Sequence, residues 1–253
     1  MRSDSSTRQL RGDQSRGPDQ VRAPVVLQPN DVHFPAPETA LREPNGLLAI
    51  GGDLSVERLL AAYDHGIFPW FDSDQGPILW WSPDPRAVVA PDAIRVSRSL
   101  RRTIARATYH VSLDTAFAAV IAACAGPRRN ATGTWITPRM QLAYRQLHEL
   151  GYAHSVEAWQ DGRLAGGLYG IALGRMFFGE SMFSHARDAS KVAFVYLSQH
   201  LHAEGYRLID CQVMNPHLES LGAVEMPRRE FLEIVRQNRQ CATTPRHWDA
   251  DAA

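Results

Sequence analysis

Residues 153–183, "AHSVEAWQDGRLAGGLYGIALGRMFFGESMF", constrain the fold more than any other stretch. Apolar and small residues fill it in strand-length blocks. Asp161-Gly162 and Gly174 break the blocks, and such residues supply the positive φ that tight hairpin turns need. Successive strands linked this tightly commit the second half of the chain to a sheet.

Helical spacing surrounds that sheet. "SVERLLAAYDHG" carries Leu59, Leu60 and Tyr63 on one side, with Asp53 or Ser55 as cap and Gly66 as stop. Ser97 opens an arginine-rich helix, Asp114 is the expected cap of the helix "TAFAAVIAACA", and "TPRMQLAYRQLHELG" is amphipathic up to Gly151. "ASKVAFVYLSQHLHAEG" reads as a helix from Asp188 or Ser190 to Gly205. After it come the strand "YRLIDCQV", a short helix in "PHLESLG" and a last helix in "RREFLEIVRQNR". Earlier, "LLAI" and "ILWWSPDPRAVVAP" contribute strands around Pro-broken turns. Strands and helices mix without strict alternation, which defines an α+β class.

The chain has 253 residues, 44% of them hydrophobic, enough for a sizeable core. Its formal net charge of zero disfavours a globally basic nucleic-acid binder and leaves only a local basic patch. Cys124, Cys211 and Cys241 lie far apart and form no zinc or disulfide pattern, so reduced thiols and a cytoplasmic setting are expected. No apolar run is long enough to span a membrane. The polar stretch 1–23 is expected to be disordered. The histidines are scattered, with no H-E-x-x-H, and neither a P-loop nor G-x-S-x-G occurs. No metal and no cofactor is therefore expected.

Three constellations carry chemistry. Asp210 and Gln212 sit two apart in the apolar strand "LIDCQV", and Glu180 sits in "RMFFGESMF", sharing a face with Met176, Phe178 and Met182 if no bulge intervenes. Buried polar groups satisfied by backbone would explain one such strand. Two strands that each accept the cost of a carboxylate suggest a polar centre in an apolar pocket. Trp70 and Trp135 lie in Pro- or Gly-flanked loops, where an indole can stack on a base, whereas Trp80 and Trp81 read as core or turn packing. Arg98, Arg101, Arg102 and Arg106 crowd one helix without an acid among them, a solvated face or a phosphate-binding one.

At "FPAPETALREPNGLLAIGGDLS", "ILWWSPDPRAVV", "TWIT", "LHELGYAHSVEAW", "GGLYGIALGRMFFGESMFS", "ASKVA", "LIDCQV" and "HLESLGAVEMPRREF", the chain closely resembles the bacterial leucyl/phenylalanyl-tRNA–protein transferases. The resemblance runs over roughly residues 33–232. It implies a small N-terminal α/β domain (24–84) followed by a GNAT acetyltransferase-like domain (85–253). It also implies transfer of Leu or Phe, less readily Met, from Leu-tRNA or Phe-tRNA to proteins that begin with Lys or Arg, marking them for N-end-rule degradation. The ester-to-amide exchange runs downhill, so no ATP is needed. The enzyme is expected to act as a monomer.

Carried over residue by residue, Asp210 and Gln212 match the family's catalytic pair and Glu180 the acid that holds the donor amino acid. Leu168, Phe177, Met182, Leu197 and Ile209 match the apolar pocket. Trp70, Trp135, Tyr63 and Tyr144 match the surroundings of the adenosine. Arg98, Arg101, Arg102 and Arg106 fall in the segment that grips the acceptor stem. Leu168 and Leu197 stand where the family usually carries Met and Phe, which bears on donor ranking and not on the reaction. Two rivals fit less well. An acyl-CoA acetyltransferase would need a glycine-bearing pyrophosphate loop before "ASKVA", and a non-catalytic tRNA-binding module leaves the strand acids unexplained.

Overall fold

The computed structural model describes residues 23–29, 31–126 and 134–248. The expectation of a disordered stretch up to residue 23 falls almost wholly outside the described residues. The first 81 residues contribute a four-stranded sheet. It comprises β1 (Val25–Leu27), β2 (Leu47–Gly51), β3 (Phe68–Pro69) and β4 (Leu79–Trp81), in the spatial order β1-β2-β4-β3. Helix α1 (Val56–Tyr63) lies between β2 and β3 in the chain. Ser55 caps it by accepting the Arg58 N–H, while Asp53 accepts the Ser55 N–H at 2.9 Å, so each residue expected at this end has its own task.

The larger sheet has seven strands: β5 (Arg86–Val89), β6 (His110–Leu113), β7 (Ala153–Gln160), β8 (Arg163–Leu173), β9 (Met176–Ser184), β10 (Leu208–Gln212) and β11 (Val224–Met226). Their order is β11-β5-β10-β9-β8-β7-β6. The Asp161-Gly162 turn has φ of 51° and 71°, as a two-residue hairpin requires. The other helices are α2 (Arg98–Ala105), α3 (Phe117–Cys124), α4 (Pro138–Glu149), α5 (Ala189–Ala203), α6 (Pro216–Ser220) and α7 (Arg228–Asn238). Every pair of neighbouring strands in the large sheet is antiparallel except β9 and β10, which are parallel and are linked through α5. The α+β class expected from the sequence is the one observed.

Two apolar layers flank the large sheet. On one side Tyr63, Phe117, Tyr144 and Phe231 pack with Met176, Phe178 and the small sheet; on the other α5 lays Val192, Leu197 and Leu201 over Phe177 and Ile209. The second layer is close because β8 has no side chain beneath the start of α5. A Cβ on Gly166 would lie 2.6 Å from the Ala189 Cβ.

Three local readings change. Asp114 does not cap α3, whose N-cap is Ala116 without any side-chain cap. Asp114 adopts φ 53° and turns back to β7, accepting the Ser155 N–H at 2.8 Å. Strands β1 and β3, of three and two residues, are too short to show a period-2 pattern in the sequence and were not expected. Finally, β9 and β10 each carry a bulge. Tyr169 pairs with Ser181 and Gly170 with Gly179, so Glu180 has no partner on β8; Asp210 pairs with Val88 and Gln212 with Ala87, so Cys211 has none on β5.

Candidate active site

The bulges create the site. β9 and β10 pair in parallel through Leu208–Met176, Ile209–Phe177 and Asp210–Phe178, and their register ends there. Beyond it both strands bulge, and Gly179, Glu180, Cys211 and Gln212 line a cavity of about 520 Å³. The expected alternation therefore fails in an informative way. Met176 and Phe178 face the layer containing Tyr63, but the extra residue at Glu180 turns Met182 to the opposite layer, beside Phe177. Asp210 and Gln212 do not share a simple strand face either, because Gln212 is left-handed at φ 63°.

Glu180 is 8% exposed, and three neutral donors hold it. Tyr63 donates to Oε1 at 2.8 Å, Tyr144 to Oε2 at 2.9 Å, and the Gln212 carboxamide to Oε1 at 2.8 Å. The two phenol oxygens also contact each other. With Glu180 ionised, two phenolic protons serve three contacts; a proton on the carboxyl supplies the third and closes the ring. Burial, aided by the charge of Asp210, raises the Glu180 pKa to about 7 despite its hydrogen bonds, which pull the other way. Burial and the charge of Glu180 hold both phenols well above their ordinary range. Tyr63 and Tyr144, expected near an adenosine, are fully buried and reach the cavity only through Glu180.

Asp210 is fully buried and does not line the cavity. Arg86 on β5 grips it with two bonds, Nε to Oδ1 at 2.8 Å and Nη2 to Oδ2 at 2.6 Å. The guanidinium lies between the rings of Phe68 and Phe231, 4.8 and 4.5 Å from their centroids, and donates to the Gly66 carbonyl at 3.1 Å. Asp210 Oδ1 also accepts the backbone N–H of Gln212 at 2.9 Å. That bond holds the left-handed turn from which Gln212 reaches Glu180. Arg86 opens the strand "RAVV" directly after Asp84-Pro85, where a charge looks like part of a turn, unlike Asp210 in mid-strand.

The cavity draws on both layers. Leu168, Phe177, Met182, Leu197 and Ile209, the five residues expected to form an apolar pocket, all line it, and Phe194 and Leu218 extend it. Trp70 and Trp135 stand at the same cavity. Trp70 is 47% exposed, with its indole edge-on to Trp81 at 5.7 Å. Burial pushes the Cys211 thiol well up, which makes it wall and not nucleophile.

Ser97 caps α2 as expected, and Arg98, Arg101, Arg102 and Arg106 are all exposed. Among the described residues none of the four forms an ion pair. Arg102 and Arg106 border a second, polar hollow with Tyr109, Gln160 and Arg187. Helix α2 rests on α5, the helix that carries Phe194 and Leu197 into the cavity.

An apolar cavity with a carboxyl of raised pKa and a carboxamide at its edge has the form of an enzyme site that seats an apolar group beside a proton acceptor. The chain belongs to the leucyl/phenylalanyl-tRNA protein transferase family: residues 88–236 match the family model of that description, and residues 52–84 match the model of its N-terminal domain. A leucyl/phenylalanyl-tRNA–protein transferase from Stutzerimonas stutzeri is 62% identical over 209 residues, covering 83% of this chain and 92% of that protein. One from Azotobacter vinelandii is 57% identical over 220 residues, covering 87% and 97%. Among solved structures, a GCN5-related N-acetyltransferase from Kribbella flavida aligns at 13% identity and TM-score 0.36, over 67% of this chain and 59% of that one. L-PGS from Bacillus licheniformis aligns at 14% and 0.38, over 67% and 55%. The chain thus spans little more than half of each of these two proteins. Among the described residues no helix is long and apolar enough to cross a membrane.

Proposed function

We propose that the enzyme transfers Leu or Phe, and Met less readily, from Leu-tRNA or Phe-tRNA to the α-amino group of proteins beginning with Lys or Arg, marking them for N-end-rule degradation. The observation that carries this reading is Glu180, a carboxyl with a pKa of about 7 at the edge of an apolar cavity. Leu168, Phe177, Met182, Leu197 and Ile209 surround the donor side chain. Trp70 and Trp135 flank the terminal adenosine, where an indole stacked on a base contributes roughly 1–3 kcal/mol. Arg98, Arg101, Arg102 and Arg106 meet the acceptor-stem phosphates.

In the transfer, the amine nitrogen bonds to the ester carbonyl carbon and the carbon–oxygen bond to the ribose breaks. The proton leaving nitrogen ends on the ribose oxygen. Glu180 takes that proton on the way, because its pKa matches the working pH. Gln212 orients Glu180 and the incoming amine through its carboxamide. Asp210, paired with Arg86, is a positioning residue: it fixes the turn that aims Gln212. Most of the catalytic gain is then positioning of two bound reactants. The reaction belongs in the cytoplasm, with the enzyme acting as a monomer.

Purified protein without ATP or CoA is expected to move labelled Leu from Leu-tRNA to a protein beginning with Arg, and not to one beginning with Asp. Acetyl transfer from acetyl-CoA, without aminoacyl transfer, would overturn the reading.

A further inference from the structure

Four histidines far apart in the sequence, His148, His154, His200 and His247, are gathered at one corner of the fold around Trp248. We propose that Asp114, His148 and His247 bind one zinc-class divalent ion, which clasps the segment following α7 to the turn after β6 and the last turn of α4. One ligand atom from each of the three lies within 4.8 Å of the others. Each group is also prepared for the task.

Asp114 has about four acceptor positions on its two oxygens. Three are taken: Oδ1 accepts the Ser155 N–H, and Oδ2 accepts His154 Nδ1 and the Trp248 N–H, each at 2.8 Å. The position left over is on Oδ1. His148 donates through Nδ1 to the Ala153 carbonyl at 2.8 Å, which leaves the Nε2 lone pair for a ligand. Histidines that bind metals are oriented in this way. Its ring is stacked on Phe117 at 4.3 Å and meets the His247 ring edge-on at 5.0 Å. The His247 ring is exposed, and among the described residues no hydrogen bond engages it.

The third ligand arrives with a docked strap. The Arg246 N–H bonds the Gly151 carbonyl at 3.2 Å, and Thr243 accepts the Gly174 N–H at 2.8 Å. Trp248 is 5% exposed and lies flat on His154, with ring centroids 3.9 Å apart. Its other neighbours include Phe177, at 5.8 Å, which lines the apolar cavity. Two imidazoles and one carboxylate suit Zn²⁺ and its neighbours and not Mg²⁺ or Ca²⁺. Three protein ligands leave a fourth position for water. The ion is structural. It secures the strap whose tryptophan backs Phe177, and it takes no part in the transfer.

The test uses untagged, EDTA-treated full-length protein titrated with ZnCl₂ in a calorimeter. The expected result is one equivalent bound, with a higher thermal midpoint when zinc is present. His247→Ala changes an exposed side chain and leaves the fold standing; it is expected to weaken zinc binding by about tenfold or more. His148→Ala is expected to do the same. Failure to bind one equivalent would overturn the proposal. So would zinc binding of unchanged affinity in His247→Ala, or zinc binding that disappears in Cys241→Ser while both histidines remain.

Discussion

Asp210 and Glu180 are both buried carboxyls on adjacent parallel strands, yet the fold treats them oppositely. At the Asp210 end a guanidinium meets the carboxylate with two bonds, and aromatic rings hold that guanidinium in turn. At the Glu180 end, among the described residues, two phenols and a carboxamide meet the carboxyl and no cation does. The first arrangement pins a charge in place. The second leaves a proton near balance at neutral pH. Burial alone does not decide what a carboxyl does; the charge of its partner does. One end serves as a hinge pin for Gln212, and the other serves as a place to put a proton.

The sharpest way to break this contrast is to remove the pin. Arg86→Met leaves Asp210 buried and unpaired, and should cost about 3–5 kcal/mol in denaturant unfolding. Arg86→Met with Asp210→Leu should recover most of that stability, since well-packed apolar pairs often match buried ion pairs. Transfer should stay low, because Gln212 has lost its anchor. Full recovery of transfer in the double variant would show that the pair does not position anything. Next in size, Glu180→Gln should fold and bind aminoacyl-tRNA but lose roughly 10²–10⁴-fold in transfer rate.

The same residue should leave a mark on stability. Its folded pKa of about 7 lies above the ordinary 4.5, so between these values the folded protein holds more protons than the unfolded chain. Stability contributed by the carboxyl is therefore full below pH 4.5 and lost as pH rises through about 7, on the order of 3 kcal/mol at most. Unfolding curves for Glu180→Gln should lack that slope. A smaller effect is expected from Tyr144→Phe, about 1 kcal/mol for the lost bond. The Tyr144 hydroxyl lowers the Glu180 pKa, so the transfer profile should shift to higher pH. Smallest for stability is the solvated counterpart of Arg86. Arg102→Ala should change unfolding by less than about 0.5 kcal/mol, while reducing the salt slope of tRNA binding by about 1.

Much of the site was legible because it violates the apolar rule for strands. Asp210, Gln212 and Glu180 stand out for that reason, whereas Arg86 stands at the first position of its strand, where a charge is ordinary. The bulges were not legible. Glu180 follows a glycine, a weak hint, but Cys211 has no turn residue beside it, so a reading by alternation placed Met182 on the wrong face. Tyr63 and Tyr144 fit a helical apolar face, and nothing local shows that their hydroxyls meet 81 residues apart. Asp114 precedes a helix at capping distance, yet its partners come from β7 and the distant strap. Local pattern records periodicity well and long-range hydrogen bonding hardly at all.

The bulge at Glu180 also governs which kinds of genetic change the site can absorb. Exchanging one pocket side chain for another, as Leu168 and Leu197 illustrate, alters the shape of the cavity and keeps its frame. Dropping a single codon here is a different event. The strand would regain its regular count, and Met182 would stay opposite Leu168 in the cavity wall. What would be lost is the unpaired position from which the bulge turns Glu180 toward Tyr63, Tyr144 and Gln212. Donor preference can drift by substitution, but the length of this short segment is held to the residue.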